Sequence, residues 1–227
     1  MKVCRVIGIL ALSVVLCSCA GKQQTTETAS KQQEYAGISR IEGASIETVQ
    51  KETKVASGYE SIVLNPIQMS PQLATDYPDM VRQFQASTLS YLKDKKTYRY
   101  VEGGDSNKYQ HTGSTMIADL KIIDMRIVSE GARMWGGVMA GSSYIEVYLK
   151  LTDAVSRKVI HEKVIATNYN AFASTYASGS EKSLAVDMGK IIGEYLCVVA
   201  PGKGESGIGA GKIEDKKGKQ NKKGARK

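Results

Sequence analysis

Residues 143–153 of this chain read Ser-Tyr-Ile-Glu-Val-Tyr-Leu-Lys-Leu-Thr-Asp, with apolar and polar side chains in alternation. Successive side chains of a β-strand point to opposite faces, so this pattern predicts a strand with one buried face. The apolar positions are Ile145, Val147, Leu149 and Leu151. The other face suits contact with water and carries Tyr144, Glu146, Tyr148 and Lys150.

A second strand is predicted at 115–128, and the glycine-rich segment 129–142 joins the two as a hairpin. Pairing Met134 with Val138 across a three-residue loop places Arg126 opposite Glu146, a favourable cross-strand pair. A two-residue turn at Gly136-Gly137 would set Arg126 against an apolar residue instead. We therefore predict the three-residue loop, with the apolar pairs Ile127–Ile145, Met125–Val147 and Ile123–Leu149.

The tip of this hairpin is the main candidate for a functional surface. It would carry Met134, Trp135, Val138 and Met139. Exposed Met and Trp together are uncommon on a monomer unless a partner protein or a membrane surface covers them. The alternative is that the tip folds over the end of the domain's own sheet.

The rest of the domain supplies further strands and two helices. Strands are predicted at 59–67, 97–101 and 159–168, and a helix at 181–199 ends before Pro201. Another helix should begin at Asp76, with Pro78 in its first turn. The order β-α-β-β-β-β-α predicts an α+β domain, with a mainly antiparallel sheet of about five strands and two helices packed on one face.

The first residues have the character of a secretory signal. Lys2 and Arg5 precede an apolar run at 6–16, which is too short to span a bilayer. The following Leu16-Cys17-Ser18-Cys19 resembles a bacterial lipobox, which implies cleavage before Cys19 and lipidation of its thiol. Several acyl chains on one residue hold a protein to a membrane far more firmly than one chain does. Ala20 after the cysteine favours the outer membrane, with the domain facing the periplasm.

Charge and composition divide the chain further. The net charge is +8, but the signal carries +2 and residues 200–227 carry +6, so the remaining chain is neutral. We predict a signal peptide at 1–18, a lipidated N-terminus and flexible tether at 19–57, a periplasmic domain at 58–201 and a disordered basic tail at 202–227. The tail could bind an anionic envelope polymer or lipid, or remain solvated. Nucleic acid is not an expected partner of an exported protein.

No residue pattern indicates catalysis, a metal or a cofactor. His111 and His161 have no histidine or cysteine at ligand spacing. The segment 207–212 lacks the Ser/Thr and first glycine of a phosphate loop. Cys197 is expected to be an inert buried thiol. Strand-end acids that could pair, but more often cap or form salt bridges, are Asp119, Asp124 and Asp153.

Several motifs in this order resemble a family of uncharacterised bacterial lipoproteins, those with domain of unknown function 4410. They are Tyr77-Pro78-Asp79, the run 132–137 (Ala-Arg-Met-Trp-Gly-Gly) with 140–143 (Ala-Gly-Ser-Ser), 151–154 (Leu-Thr-Asp-Ala) and 187–189 (Asp-Met-Gly). The chain departs from the family at Arg157, where such turns read Thr-Gly-Lys. The resemblance implies a periplasmic α/β lipoprotein domain and assigns no activity or catalytic residue.

These observations favour a non-enzymatic, outer-membrane-anchored lipoprotein whose domain serves interaction or assembly, with an envelope protein as a candidate partner. The alternative is a small-ligand or lipid carrier with a pocket between the sheet and the two helices. A hydrolase would require a clustered Ser, His and Asp set around one of the two histidines.

Overall fold

The computed structural model describes residues 34–109, 114–128, 135, 143–168 and 181–203. The chain divides into two compact units, Met1–Gly37 and Ile38–Lys227. All elements given below belong to the second unit.

Six strands and four α-helices lie in the described part of this unit. The strands are β1 (Arg40–Ile41), β2 (Ser61–Leu64), β3 (Tyr100–Gly103), β4 (Thr115–Arg126), β5 (Tyr144–Asp153) and β6 (Val159–Asn168). The helices are α1 (Ile46–Val49), α2 (Pro71–Asp76), α3 (Met80–Lys95) and α4 (Glu181–Val199). The prediction of β6 and of α4 agrees with the structure at both ends.

The expected fold class, a mainly antiparallel five-stranded sheet with two helices, is wrong. The sheet is mixed and six-stranded, in the order β1-β6-β5-β4-β2-β3. Three of its five pairings are parallel, namely β1 with β6, β2 with β3 and β2 with β4. Only the long strands β4, β5 and β6 form an antiparallel meander.

The parallel pairings arise from non-local connections. The link from β2 to β3 contains α2 and α3, and a helical crossover brings the chain back to a sheet in the same direction. β2 then lies between β3 and β4, so these successive strands are not neighbours. Alternation within a strand shows its faces but does not identify its neighbours.

The predicted hairpin register is also wrong. Next to the connection, Met125 lies opposite Ile145 and Arg126 opposite Tyr144 rather than Glu146, which is two residues from the expected pairing. A bulge in β4 adds a further shift of one residue: Asp124 pairs with Glu146 and Ile122 pairs with Val147, so Ile123 has no partner of its own. The extra residue keeps Ile122 and Met125 on one buried face, three positions apart.

The start predicted for the first long helix is wrong as well. Asp76 ends α2 rather than beginning the next helix, and α3 begins at Met80 with Asp79 as its N-cap. The residue before a proline is disfavoured in the helical conformation, and Tyr77 accordingly has φ −134° and ψ 64°. Pro78 thus separates two helices.

The folded unit also includes residues assigned above to the tether. Arg40 and Ile41 pair in parallel with Val164 and Ile165 of β6. Val49, in the short helix α1, is fully buried in the core. Isolated apolar residues in a polar stretch have no sustained period, so the pattern did not separate this segment from a flexible tether.

The core lies between one face of the sheet and the helices. Its sheet side includes Leu120, Ile122, Val147 and Leu149, all buried. The helical side comes chiefly from α4, which buries Leu184, Ala185, Met188, Ile191, Ile192, Tyr195 and Leu196. Phe84 and Leu92 of α3 complete the same cluster.

Two glycines of α4 allow α3 to approach its backbone. A Cβ at Gly189 would lie 2.6 Å from Cβ of Ser87 and 2.8 Å from the carbonyl oxygen of Phe84. A Cβ at Gly193 would lie 2.7 Å from Cδ1 of Tyr91. The hydroxyl of Ser87 donates to the carbonyl of Val186 at 2.6 Å, which ties the two helices at the same level.

We expect Gly189→Ala to destabilise the fold. Alanine favours a helix over glycine by about 1 kcal/mol, but overpacking a core contact typically costs about 1–3 kcal/mol, and here one clash is with backbone. Urea denaturation should show a lower free energy of unfolding. Lys190→Ala, at the next position with a half-exposed side chain, is the control and should change little. An increase in stability for Gly189→Ala would contradict the close approach.

Candidate interaction surface

Trp135 is placed in the connection between β4 and β5, and its side chain is 90% exposed. It is the only tryptophan of the chain. Among the large apolar side chains that the structure describes as exposed, the next is Val155 at 60%. A tryptophan exposed to this degree offers a large apolar surface and an indole N–H donor to a partner.

The other predicted site residues lie outside the described residues. Cys19, Met134, Val138 and Met139 belong to this group, as does His111. Their roles therefore remain predictions from the sequence, and Trp135 is the member of the tip that the structure places.

His161 has a structural partner. Its Nε2 lies 2.7 Å from the hydroxyl of the buried Tyr195, and the two rings are stacked with centroids 6.1 Å apart. Burial lowers the pKa of His161, and the nearby Lys163 lowers it further, which together outweigh the opposite effect of Glu52 and Glu162. The neutral imidazole is thereby favoured as the partner of the hydroxyl.

The buried carboxylate of Glu194 has three polar partners. It is 5% exposed, and it accepts hydrogen bonds from Gln50 at 2.6 Å and from the hydroxyl of Tyr91 at 2.8 Å. Lys95 forms an ion pair with it at 3.1 Å. Burial alone would raise the pKa of Glu194, but these three donors outweigh it and hold the pKa below its usual range.

The strand-end acids serve the fold. Asp119 accepts from the amide of Asn65 at 2.6 Å, and Asp124 accepts from the hydroxyl of Tyr144 at 2.9 Å. Asp153 caps the turn between β5 and β6 by accepting from the backbone N–H of Ser156 at 2.7 Å. That bond and the Ser156 hydroxyl lower the pKa of Asp153.

The thiol of Cys197 is not activated by its surroundings. Cys197 is partly buried, the hydroxyl of Thr97 lies 3.3 Å from its Sγ, and burial raises the pKa of its thiol. This agrees with the expected unreactive thiol. Within the described residues, no three His, Cys, Asp or Glu side chains are grouped to hold a metal ion. In the same part of the chain, no helix has the length and apolar character needed to cross a membrane.

A basic depression on the surface was not foreseen from the sequence. It has a volume of about 690 Å³ and lies where α3 ends and β3 begins. Four exposed cations line it, Lys93, Lys96, Arg99 and Lys203, against the single carboxylate of Glu102. The tyrosines Tyr98 and Tyr100 form part of its wall. The cations come from segments about 100 residues apart, so only the fold brings them together.

The residues that follow α4 are tightly packed, and this packing places Lys203 at the depression. The buried hydroxyl of Tyr98 donates to the carbonyl of Ala200 at 2.6 Å, which satisfies an end carbonyl of the helix. A Cβ at Gly202 would lie 2.5 Å from the carbonyl oxygen of Thr97. The backbone N–H of Lys203 then donates to the carbonyl of Tyr59 at 2.7 Å.

The pocket expected for a carrier, between the sheet and the helices, is occupied by the side chains of the core cluster. A second depression, of about 440 Å³, is lined by residues of α3 and α4 alone and lies in the groove between the two helices. Neither depression has the position that the carrier alternative requires.

No protein-family model and no curated protein matches the chain. Among solved structures, the PelC dodecamer from Paraburkholderia phytofirmans is similar at 10% identity and a TM-score of 0.43, covering 63% of this chain and 94% of that one. Protein XCC0632 from Xanthomonas campestris, of family DUF330, has 8% identity and a TM-score of 0.37, with coverage of 69% and 90%. Lipoprotein GNA1162 from Neisseria meningitidis has 14% identity and a TM-score of 0.30, with coverage of 47% and 78%.

The contact of His161 with Tyr195 predicts a specific pH dependence. Because the pKa of His161 is lower in the folded chain than in the unfolded one, the unfolded chain binds the proton more readily. The histidine therefore contributes stability above a pH of about 6.5, and this contribution is lost as the pH falls through the lowered folded value.

His161→Gln removes the titration and keeps a side chain that can bond to the tyrosine. Urea denaturation of both proteins at pH 7.5 and pH 5 measures the effect. We expect the wild type to lose more stability than the variant on acidification. An equal loss in the two proteins would show that His161 does not titrate as described.

Proposed function

We propose that this chain is a lipoprotein anchored in the outer membrane through Cys19, whose mixed α/β domain is a non-enzymatic module that binds an envelope protein through the β4–β5 tip. The resemblance to lipoproteins with domain of unknown function 4410 is part of this proposal.

The anchor is supported by the order of its sequence features. A basic start, a short apolar run and Leu16-Cys17-Ser18-Cys19 follow one another within the first 19 residues. A thioether-linked diacylglyceryl group on Cys19 would bury two chains at once, and each buried methylene contributes about 0.8 kcal/mol. Such an anchor keeps the domain at one membrane surface.

The chemistry of the described side chains supports a binding role. Among the described residues, the titratable groups that sequence patterns brought forward have structural partners, as with His161 on Tyr195 and Asp153 on its turn. The buried carboxylate of Glu194 is saturated by three donors. A nucleophile or general base needs a free partner in a cleft, and these groups have structural partners instead.

The observation that carries the proposal is the 90% exposure of Trp135. Tryptophan is enriched among the residues that dominate protein–protein binding energies, because it buries a large area at little entropic cost. In the sequence Trp135 lies in the connection between the two long paired strands β4 and β5. An exposed tryptophan in such a connection suits a contact with a partner protein.

Site-specific photo-crosslinking in living cells tests the partner. A photoreactive aromatic amino acid at position 135 should give a discrete protein adduct. The same amino acid at Val155, which is 60% exposed in the turn between β5 and β6, is the matched control and should not.

Removal of the Trp135 side chain provides a second test of the partner contact. In a pull-down without the crosslinker, Trp135→Ser should reduce recovery of the partner that crosslinking identified at least tenfold, the effect of removing about 1.4 kcal/mol or more, and Val155→Ser should not. Adducts to lipid alone, or the same adducts from both positions, would contradict a protein partner at the tip.

A further inference from the structure

The basic depression brings together four cations that the fold itself does not pair. Lys95, which lies between Lys93 and Lys96 at the end of α3, forms an ion pair with Glu194. Across the described residues, none of Lys93, Lys96, Arg99 and Lys203 forms an ion pair. Like charges gathered around one concave site raise the local concentration of anions.

The site is built rather than a chance meeting of mobile side chains. The guanidinium of Arg99 lies over the ring of Tyr100 at 5.3 Å, and its backbone N–H donates to the carbonyl of Glu60 at 2.8 Å. The backbone of Lys203 is fixed by its bond to Tyr59. The packing around Gly202 leaves no room for another residue type there. The four cations are therefore presented from fixed backbone positions.

Lys96 adds an argument from conformation. It ends α3 with φ 52° and ψ 24°, in the left-handed region where glycine is the favoured residue. A side chain at such a position strains the backbone, whereas glycine adopts the conformation without strain. The chain carries a lysine at this position, and its side chain lines the depression.

The wall of the depression indicates which anion fits. Tyr100 is 51% exposed and lies beside the cations, with the apolar Val101 next to it. Exposed tyrosine together with lysine and arginine is the combination found at the headgroup level of membranes. A phosphate there would receive charge-assisted hydrogen bonds from the cations, while the aromatic ring would contact the adjoining glycerol and acyl region.

From these observations we infer that the depression formed by Lys93, Lys96, Arg99 and Lys203 binds the phosphate of an anionic lipid headgroup. This inference rests on the proposed anchor, which keeps the domain close to such headgroups. It concerns the folded domain and is separate from the basic tail. Such binding would give the domain a fixed orientation, with the C-terminal end of α3 and the start of β3 against the membrane.

Lysine footprinting on the full, lipid-anchored chain in vesicles tests the inference. Amine acetylation is followed by mass spectrometry for each lysine, in vesicles of phosphatidylcholine alone and with added phosphatidylglycerol. We expect Lys93, Lys96 and Lys203 to be protected only with phosphatidylglycerol, and exposed Lys51 and Lys158 to react equally in both. Protection should disappear near 1 M salt, where the screening length is about 3 Å.

Two variants separate binding from folding. Lys96→Gly removes one cation and relieves its backbone, so it should preserve or raise stability while weakening the protection of Lys93 and Lys203 about fivefold. Arg157→Gly is the matched control, because Arg157 is also a cation in the left-handed region, with φ 57°, but lies in the β5–β6 turn. It should leave the protection unchanged.

The remaining outcomes decide either against the inference or against the anchor on which it rests. Equal reactivity of the three lysines in both kinds of vesicle would overturn it. Equal protection by inorganic phosphate with phosphatidylcholine vesicles would show a site for free phosphate rather than for a headgroup. A chain that fails to float with either vesicle lacks the anchor, and that result would count against the proposed function instead.

Discussion

The fold depends on the close contact between α3 and the central helix α4. α4 is buried along most of its length, and Gly189 and Gly193 let α3 reach its backbone. A larger residue at either position would push α3 away from the sheet and open the core above Phe84 and Leu92. The two helices and one face of the sheet therefore form a single packed unit.

The same contact positions the basic depression. It places the end of α3 beside the end of α4, so the segment that leaves α4 through Gly202 brings Lys203 close to Lys93 and Lys96. β4 and β5 are long paired strands of the same sheet, and their connection carries the exposed Trp135. The depression and Trp135 are separate surfaces, so an anchored protein can use them separately.

Local patterns predicted the local elements well. The alternation from Tyr144 to Leu151 identified β5 and its buried face, and the spacing of Leu184, Met188, Ile191 and Tyr195 identified α4. The pairing of strands could not be predicted in the same way. Both neighbours of β2 pair with it in parallel, and these pairings depend on a connection that contains helices. In the longest pair, β4 with β5, one extra residue at Ile123 changes the register part-way along the strand.

The two candidate surfaces also differ in whether the sequence could reveal them. Trp135 was found because it is the only tryptophan and lies among glycines between two strands. The basic depression was missed because Lys93, Lys96 and Arg99 follow an ordinary helix end, and Lys203 belongs to a segment that composition assigns to a tail. Charge counts along a chain show how much charge a segment has, and the fold decides which charges meet.

Both proposed roles require that the domain is held at a membrane by lipid on one cysteine. Intact-mass spectrometry of the protein purified from its native envelope measures this most directly. We expect a chain that begins at Cys19 and carries at least a diacylglyceryl group on that residue. A product that retains its first eighteen residues, or that has an unmodified cysteine at its start, would contradict it.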